Sequence, residues 1–170
     1  MLGYVVADGR GEADVLIREV AERLRAGGAH LAGAVQVNID TDPARKCEMD
    51  LHILSRDKVV RISQNLGTLA RGCRLDPDGL ERAVGLVANA LAEGPDLLIV
   101  NKYGKQEIDG RGFRPLIGEA LAAGIPVLTA VNSGNVGKFL EFAEDLAEAL
   151  PADAQTVFDW CQSQRALAAD

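Results

Sequence analysis

Histidine is scarce in this 170-residue chain: His30 and His52 are the whole complement, too few and too scattered to build a histidine-based metal cluster. Cysteine is nearly as sparse. Cys47, Cys73 and Cys161 are an odd number at wide spacing with no Cys-x-x-Cys pair, which reads as a reduced, intracellular protein rather than a disulfide scaffold. No apolar run reaches the length of a membrane span, so no membrane insertion is expected. The opening Leu2-Gly3-Tyr4-Val5-Val6-Ala7 lacks the basic flank, longer apolar core and cleavage site of a secretory leader. A cytoplasmic location is the expectation. Positive charge is in deficit as well, with 18 Lys+Arg against 25 Asp+Glu and a net charge of -7. That argues against nucleic acid as a partner, because such binding depends on neutralising phosphates over a broad surface.

Apolar residues make up 48% and charged residues 25%, the balance of a soluble globular protein, and the length suits a single domain over 1–170. Leu2 to Ala7 reads as a short buried strand. Asp8 to Asp14 is a glycine-bearing turn, and Leu16, Val20 and Leu24, widened by Ile17 and Ala21, give one apolar helical face. With a second strand at Leu31 to Val37, the first forty residues form a β-loop-α-β unit, whose crossover is right-handed if its strands are parallel neighbours. Met49, Leu51 and Ile53 then alternate with polar residues. Ser55 to Lys58 makes a turn before Val59-Val60-Arg61-Ile62, so a β-hairpin is inserted at about 40–66. Asp76-Pro77 supplies an N-cap and a first-turn proline for a helix that buries Leu80, Val84, Val87 and Leu91. Further on, a helix runs from about Phe113 to Ala123, a strand from Pro126 to Val131, and an amphipathic helix buries Phe139, Phe142, Ala143 and Leu146 until Pro151 breaks it. A last helix docks through Val157, Trp160 and Cys161. Strands alternating with helices make a three-layer α/β fold with a mostly parallel sheet.

The chain is organised around Pro95 to Arg114. Leu97 to Val100 is an unbroken apolar run suited to a central strand covered on both faces. Immediately beyond it Lys102, Lys105, Arg111 and Arg114 crowd a loop opposed only by Glu107 and Asp109. Ligands of open α/β sheets bind past the carboxyl ends of the strands, so a cationic loop there is the place to look for an anion. Arginine would offer a planar fork and lysine a point charge; the alternative is a solvated loop neutralised by neighbouring acids. Two further loops at strand ends, Asp8-Gly9-Arg10-Gly11-Glu12 and Asn132-Ser133 to Lys138, complete the expected pocket, the latter through free backbone N–H groups. Cys73, between Arg71 and Arg74, is a candidate soft ligand or reactive thiol, and Cys47 a second; both also suit a packing role.

A phosphate-gripping loop of the Gly-x-x-x-x-Gly-Lys-Ser/Thr type is absent from the first strand-to-helix turn. Glu12, Ala13 and Asp14 stand where glycine, lysine and hydroxyl are needed, and carboxylates there repel phosphate. Asp14 reads more simply as a cap or helix-dipole partner.

Leu98-Ile99-Val100-Asn101-Lys102-Tyr103-Gly104-Lys105-Gln106-Glu107 with Gly110-Arg111-Gly112-Phe113-Arg114, together with Gly72-Cys73-Arg74-Leu75-Asp76-Pro77 and Ala123-Gly124-Ile125-Pro126-Val127, resembles an uncharacterised bacterial family, number 2478 of the domains of unknown function. The resemblance covers nearly the whole chain. It implies a phosphate-loop-NTPase-like fold, similar to nucleoside triphosphatases of the thermophilic type, and an association with molybdenum transport. In those triphosphatases the matching strand ends in Asp-Glu-x-Gly-x-x-Glu, whose first acid assists magnesium. This chain keeps Gly104 and Glu107 but carries Asn101 and Lys102 in place of the acidic pair.

The resulting expectation is a non-classical binding protein for a small anion, a nucleotide or an oxyanion such as molybdate, accessory to molybdenum transport or metabolism. Its ligand-binding residues would be Asp8, Gly9, Arg10, Gly11, Asn101, Lys102, Gly104, Lys105, Arg111, Arg114, Asn132 and Ser133. One alternative is a nucleoside triphosphatase or nucleotide kinase with a degenerate phosphate loop, in which Glu107 orients water; otherwise Glu107 pairs with Lys105. The other is a ligand-free interaction module serving a transport component through its hairpin and final helix. Self-association is compatible with all three.

Overall fold

A computed structural model describes residues 1–9, 11–39, 48–64 and 75–169. Strand β1 (Leu2–Val6) leads into helix α1 (Glu12–Ala26), where Ile17, Val20, Ala21 and Leu24 recur at helical spacing and are all buried. Then come β2 (Leu31–Ile39), β3 (Glu48–Ile53) and β4 (Lys58–Arg61). The last two form the expected hairpin, in register from Asp50↔Arg61 to Ile53↔Lys58. It is an integral part of the sheet, because β3 also pairs antiparallel with β2 from Ala34↔Ile53 to Ile39↔Glu48.

Helix α2 (Pro77–Leu91) starts as its sequence dictates. The Asp76 carboxylate accepts the Asp78 backbone N–H at 3.1 Å, and proline occupies the first turn, where its missing N–H costs nothing. Strand β5 (Leu97–Val100) is buried at all four positions. The stretch after it, read from the sequence as a loop, contains a single helical turn, α3 (Lys105–Ile108), before α4 (Arg114–Ala122). Strand β6 (Val127–Val131) and helix α5 (Val136–Ala143) follow.

The end of α5 departs from expectation. The helix stops at Ala143, Leu146 is half exposed at 50%, and Ala147–Leu150 forms a seventh strand, β7, along the free side of β1. Ala-Glu-Ala-Leu has helix-forming composition. The unpaired backbone edge of β1 and the Glu148 carboxylate, which accepts the Trp160 indole N–H at 2.8 Å, outweigh that preference. Helix α6 (Ala154–Ala169) then docks through Val157, Trp160 and Cys161, as the sequence indicates.

The sheet order is β4-β3-β2-β5-β6-β1-β7, and its strands from β2 to β7 are parallel. Accordingly β1 and β2 are not neighbours. Both β5 and β6 lie between them, so the first β-α-β unit spans two intervening strands. Alternation along β5 divides the core into two clusters. Leu98 and Val100 face α2, α4 and α5, whereas Leu97 and Ile99 face α1 and α6, which gives the three layers. The β2–β5 contact is close enough to require glycine at position 33: φ is +125°, and a Cβ there would overlap the Ile99 carbonyl.

Candidate functional site

The carboxyl ends of β1, β6, β5 and β2 share one edge of the sheet. Between β1 and β6 the chain leaves in opposite directions, toward α1 on one face and α5 on the other, so this is the topological switch point. An acid fills it. The Asp8 carboxylate accepts the Ser133 backbone N–H at 2.8 Å, which lowers its pKa from the ordinary aspartate value. Backbone donors offered by the 132–138 loop are thus partly consumed within the chain.

A second network closes the first turn of α1. Asp14 Oδ1 accepts the Asn101 side-chain amide at 2.8 Å, and its Oδ2 accepts that of Asn38 at 2.8 Å. Asn101 Oδ1 in turn accepts the Gln36 backbone N–H, and Gln36 Nε2 donates to Asn38 Oδ1, each at 2.9 Å. Asn101 is buried and spent on this lattice, tying β5 to β2 and α1. The Asp14 carboxylate therefore sits where a phosphate-binding fold needs its anion, with Glu12 folded against Gly9 beside it.

The 101–114 segment is built around Glu107, which is 4% exposed. Its Oε1 accepts the Gly104 N–H at 2.8 Å and its Oε2 that of Phe113 at 3.2 Å. Burial raises its pKa above the usual glutamate value, against the opposing pull of these hydrogen bonds. Glu107 is thus the internal brace of the loop and makes no ion pair with Lys105 among the described residues. Gly112, at φ +59°, donates its N–H to Glu81 at 3.0 Å and leaves room for the Glu107 carboxylate, which a Cβ would overlap.

That brace separates the four cations. Arg114 turns inward, donating to the Glu107 and Ile108 carbonyls at 3.4 and 3.2 Å and lying 4.9 Å over the Phe142 ring. Arg111 pairs with Asp109 at 3.5 Å. Lys102 and Lys105 instead line one cavity of about 250 Å³ together with Asn101 and Gly104. Both are exposed and neither makes an ion pair among the described residues. Asp8, Gly9, Gly11, Asn132, Ser133, Arg111 and Arg114 stand outside its lining. Among the described residues, only the β5 loop of the three read from the sequence lines this cavity. Arg10, Cys47 and Cys73 lie outside the described residues.

The cavity's other wall was not apparent from the sequence. Met49, Leu51 and Ile62 reach it from the hairpin, and Leu75, Leu80 and Phe113 from around α2 and α4. The alternation of Met49 and Leu51 marked an apolar face; only the sheet order turns that face toward Lys102. Among the described residues no cluster of three His, Cys, Asp or Glu is placed to hold a metal ion, and no helix is long and apolar enough to cross a membrane.

Comparison with known proteins adds two findings. The model of a family described as "Protein of unknown function (DUF2478)" matches residues 2–160. Over 149 residues the chain is 36% identical to a protein of Bradyrhizobium diazoefficiens described as molybdenum import ATP-binding protein ModC 2. The match takes in 88% of this chain but 17% of that relative. No solved structure matches the chain.

Proposed function

The chain belongs to the DUF2478 family and has a phosphate-loop-NTPase-like fold, and on that premise we propose that it binds a small anionic ligand, a nucleotide or an oxyanion such as molybdate, without hydrolysing it. The ligand's seat is the cavity beside Lys102 and Lys105, and the setting is molybdenum transport or metabolism. The observation that carries this reading is the pair of lysines, free of ion pairs among the described residues, lining one cavity past the end of the central strand. The setting rests on the relative described as a molybdenum import ATP-binding protein, of which this chain spans 17%.

Hydrolysis has the geometry against it. The first turn of α1 presents Asp14 and Glu12 where a triphosphate needs donors. Asn101 replaces the metal-assisting acid, and both oxygens of Glu107 already accept backbone N–H groups. A thermal-shift titration tests the reading. A ligand present at a hundred times its Kd stabilises by about 2.7 kcal/mol, which for a chain of this size raises Tm by roughly 5–10 °C. The Lys102→Ala/Lys105→Ala double variant should keep its own Tm and lose that response. Unchanged affinity in the double variant, or steady magnesium-dependent release of phosphate by the wild type, would reject the assignment.

A further inference from the structure

We infer that the occupant of this cavity is an organic anion, an anionic head joined to an apolar body about the size of one ring system, and not a bare tetrahedral oxyanion. The inference rests on the small-anion function proposed above and narrows it by ligand class.

The lining is two-sided. Lys102 and Lys105 supply charge on the β5 side, while Met49, Leu51 and Ile62 on the hairpin and Leu80 at α2 present hydrocarbon. A bare oxyanion carries acceptors in every direction and needs donors all round it. Of the other polar lining groups, the Asn101 amide donates to Asp14, the Gln36 amide to Asn38, and the Gly104 N–H to Glu107, which leaves the Gln106 amide beside the lysines on the β5 side. An oxyanion seated here would meet donors on the β5 side only and turn the rest of its hydration shell against apolar side chains, at a desolvation cost. A ligand with one charged end and one apolar end satisfies both walls at once.

Size points the same way. Ligand pockets commonly span about 300–1,000 Å³, and 250 Å³ lies just under that range, too little to enclose a nucleoside triphosphate. Four oxygens have the bulk of about four waters, roughly 120 Å³ at ~30 Å³ each, so a bare oxyanion would leave about half the cavity to water against hydrocarbon. The inserted hairpin explains the difference from a plain α/β crevice. By extending the sheet beyond β2, it raises an apolar wall opposite the cationic loop.

The test is isothermal titration of the full chain with phenyl phosphate, adenosine monophosphate and uridine monophosphate on one side, and inorganic phosphate and molybdate on the other. At least one ring-bearing phosphate should bind tenfold or more tightly than either inorganic anion. Met49→Ala, at a half-buried wall position whose folding is checked by melting, should weaken that ligand about tenfold. Inorganic anions should be indifferent to Met49→Ala, and the double lysine variant should weaken both classes. Molybdate or phosphate binding as tightly as the ring-bearing ligands, with no response to Met49→Ala, would overturn the inference while leaving the small-anion function standing. Ring-bearing ligands whose binding ignores both the Met49 and the lysine variants would also overturn it, since they would be bound elsewhere. Failure of every ligand to bind would remove both the inference and the function beneath it.

Discussion

Replacing Glu107 with glutamine separates a structural brace from a catalytic acid. The wild-type carboxylate accepts from Gly104 at 2.8 Å and from Phe113 at 3.2 Å, through different oxygens. Glutamine keeps one acceptor oxygen, and its NH₂ must face the other N–H, donor against donor. Losing one such bond at a buried site costs roughly 1–3 kcal/mol. The carboxyl pKa is raised, first by burial, so the folded chain holds this proton at a pH where the unfolded chain has released it. The stabilising contribution is therefore fully present below the ordinary glutamate range and is lost as pH rises through the raised folded value. Glutamine does not titrate. The protonated carboxyl still has a lone pair on each oxygen to accept these N–H groups, where the amide NH₂ has none, so the stability gap between wild type and Glu107→Gln should be widest near pH 4, at about 1–3 kcal/mol, and should narrow toward neutrality. Urea denaturation followed by circular dichroism from pH 4 to 8 measures it. A gap that widens with pH would mean the hydrogen-bonded carboxylate dominates over burial, and a flat gap near zero would refute the brace altogether. A Glu107→Gln protein of unaltered stability that had lost a phosphate-releasing activity would restore the catalytic reading.

Two further substitution and labelling experiments probe the same framework. Gly112→Ala forces a left-handed backbone on alanine and drives its Cβ into the Glu107 carboxylate; the two effects should sum to roughly 2–5 kcal/mol, read as a loss of urea midpoint, and a change under 1 kcal/mol would contradict the described loop. Cys161 is fully buried, with its thiol pushed up to about 12 by burial, so in a Cys47→Ser/Cys73→Ser background it should resist a disulfide reagent at pH 8 until the chain is unfolded. Rapid labelling of the folded protein would show that α6 does not dock as described.

Much of the architecture was legible because its signals are local. Leu97 to Val100 announces a doubly covered strand by lacking any polar residue, Asp76-Pro77 announces a helix start, and Val157, Trp160 and Cys161 sit on one face of α6 whatever the rest of the chain does. The hairpin belongs to the same group, its alternation at Met49, Leu51 and Ile53 carried through into β3. At the site, by contrast, Lys102, Lys105, Arg111 and Arg114 look equivalent along the chain. One turn of α3 and the left-handed Gly112 then send the lysines to a cavity and Arg114 over the Phe142 ring. Asp14 likewise looked like a helix cap. Its amide partners come from 24 and 87 residues away, beyond any pattern within one helix.

The order of residues by itself determined the strands apart from β7, the helices apart from α3, the α/β class, and a cluster of cations past a central strand, because those depend on contacts within a few residues. The tertiary structure alone decided that β5 and β6 part β1 from β2, that β7 completes the edge, and that the hairpin's apolar face looks across at Lys102 and Lys105. Those outcomes turn on which distant backbone edges and side chains meet, and the free energy of such meetings is set by the closure of the whole core and not by any single segment.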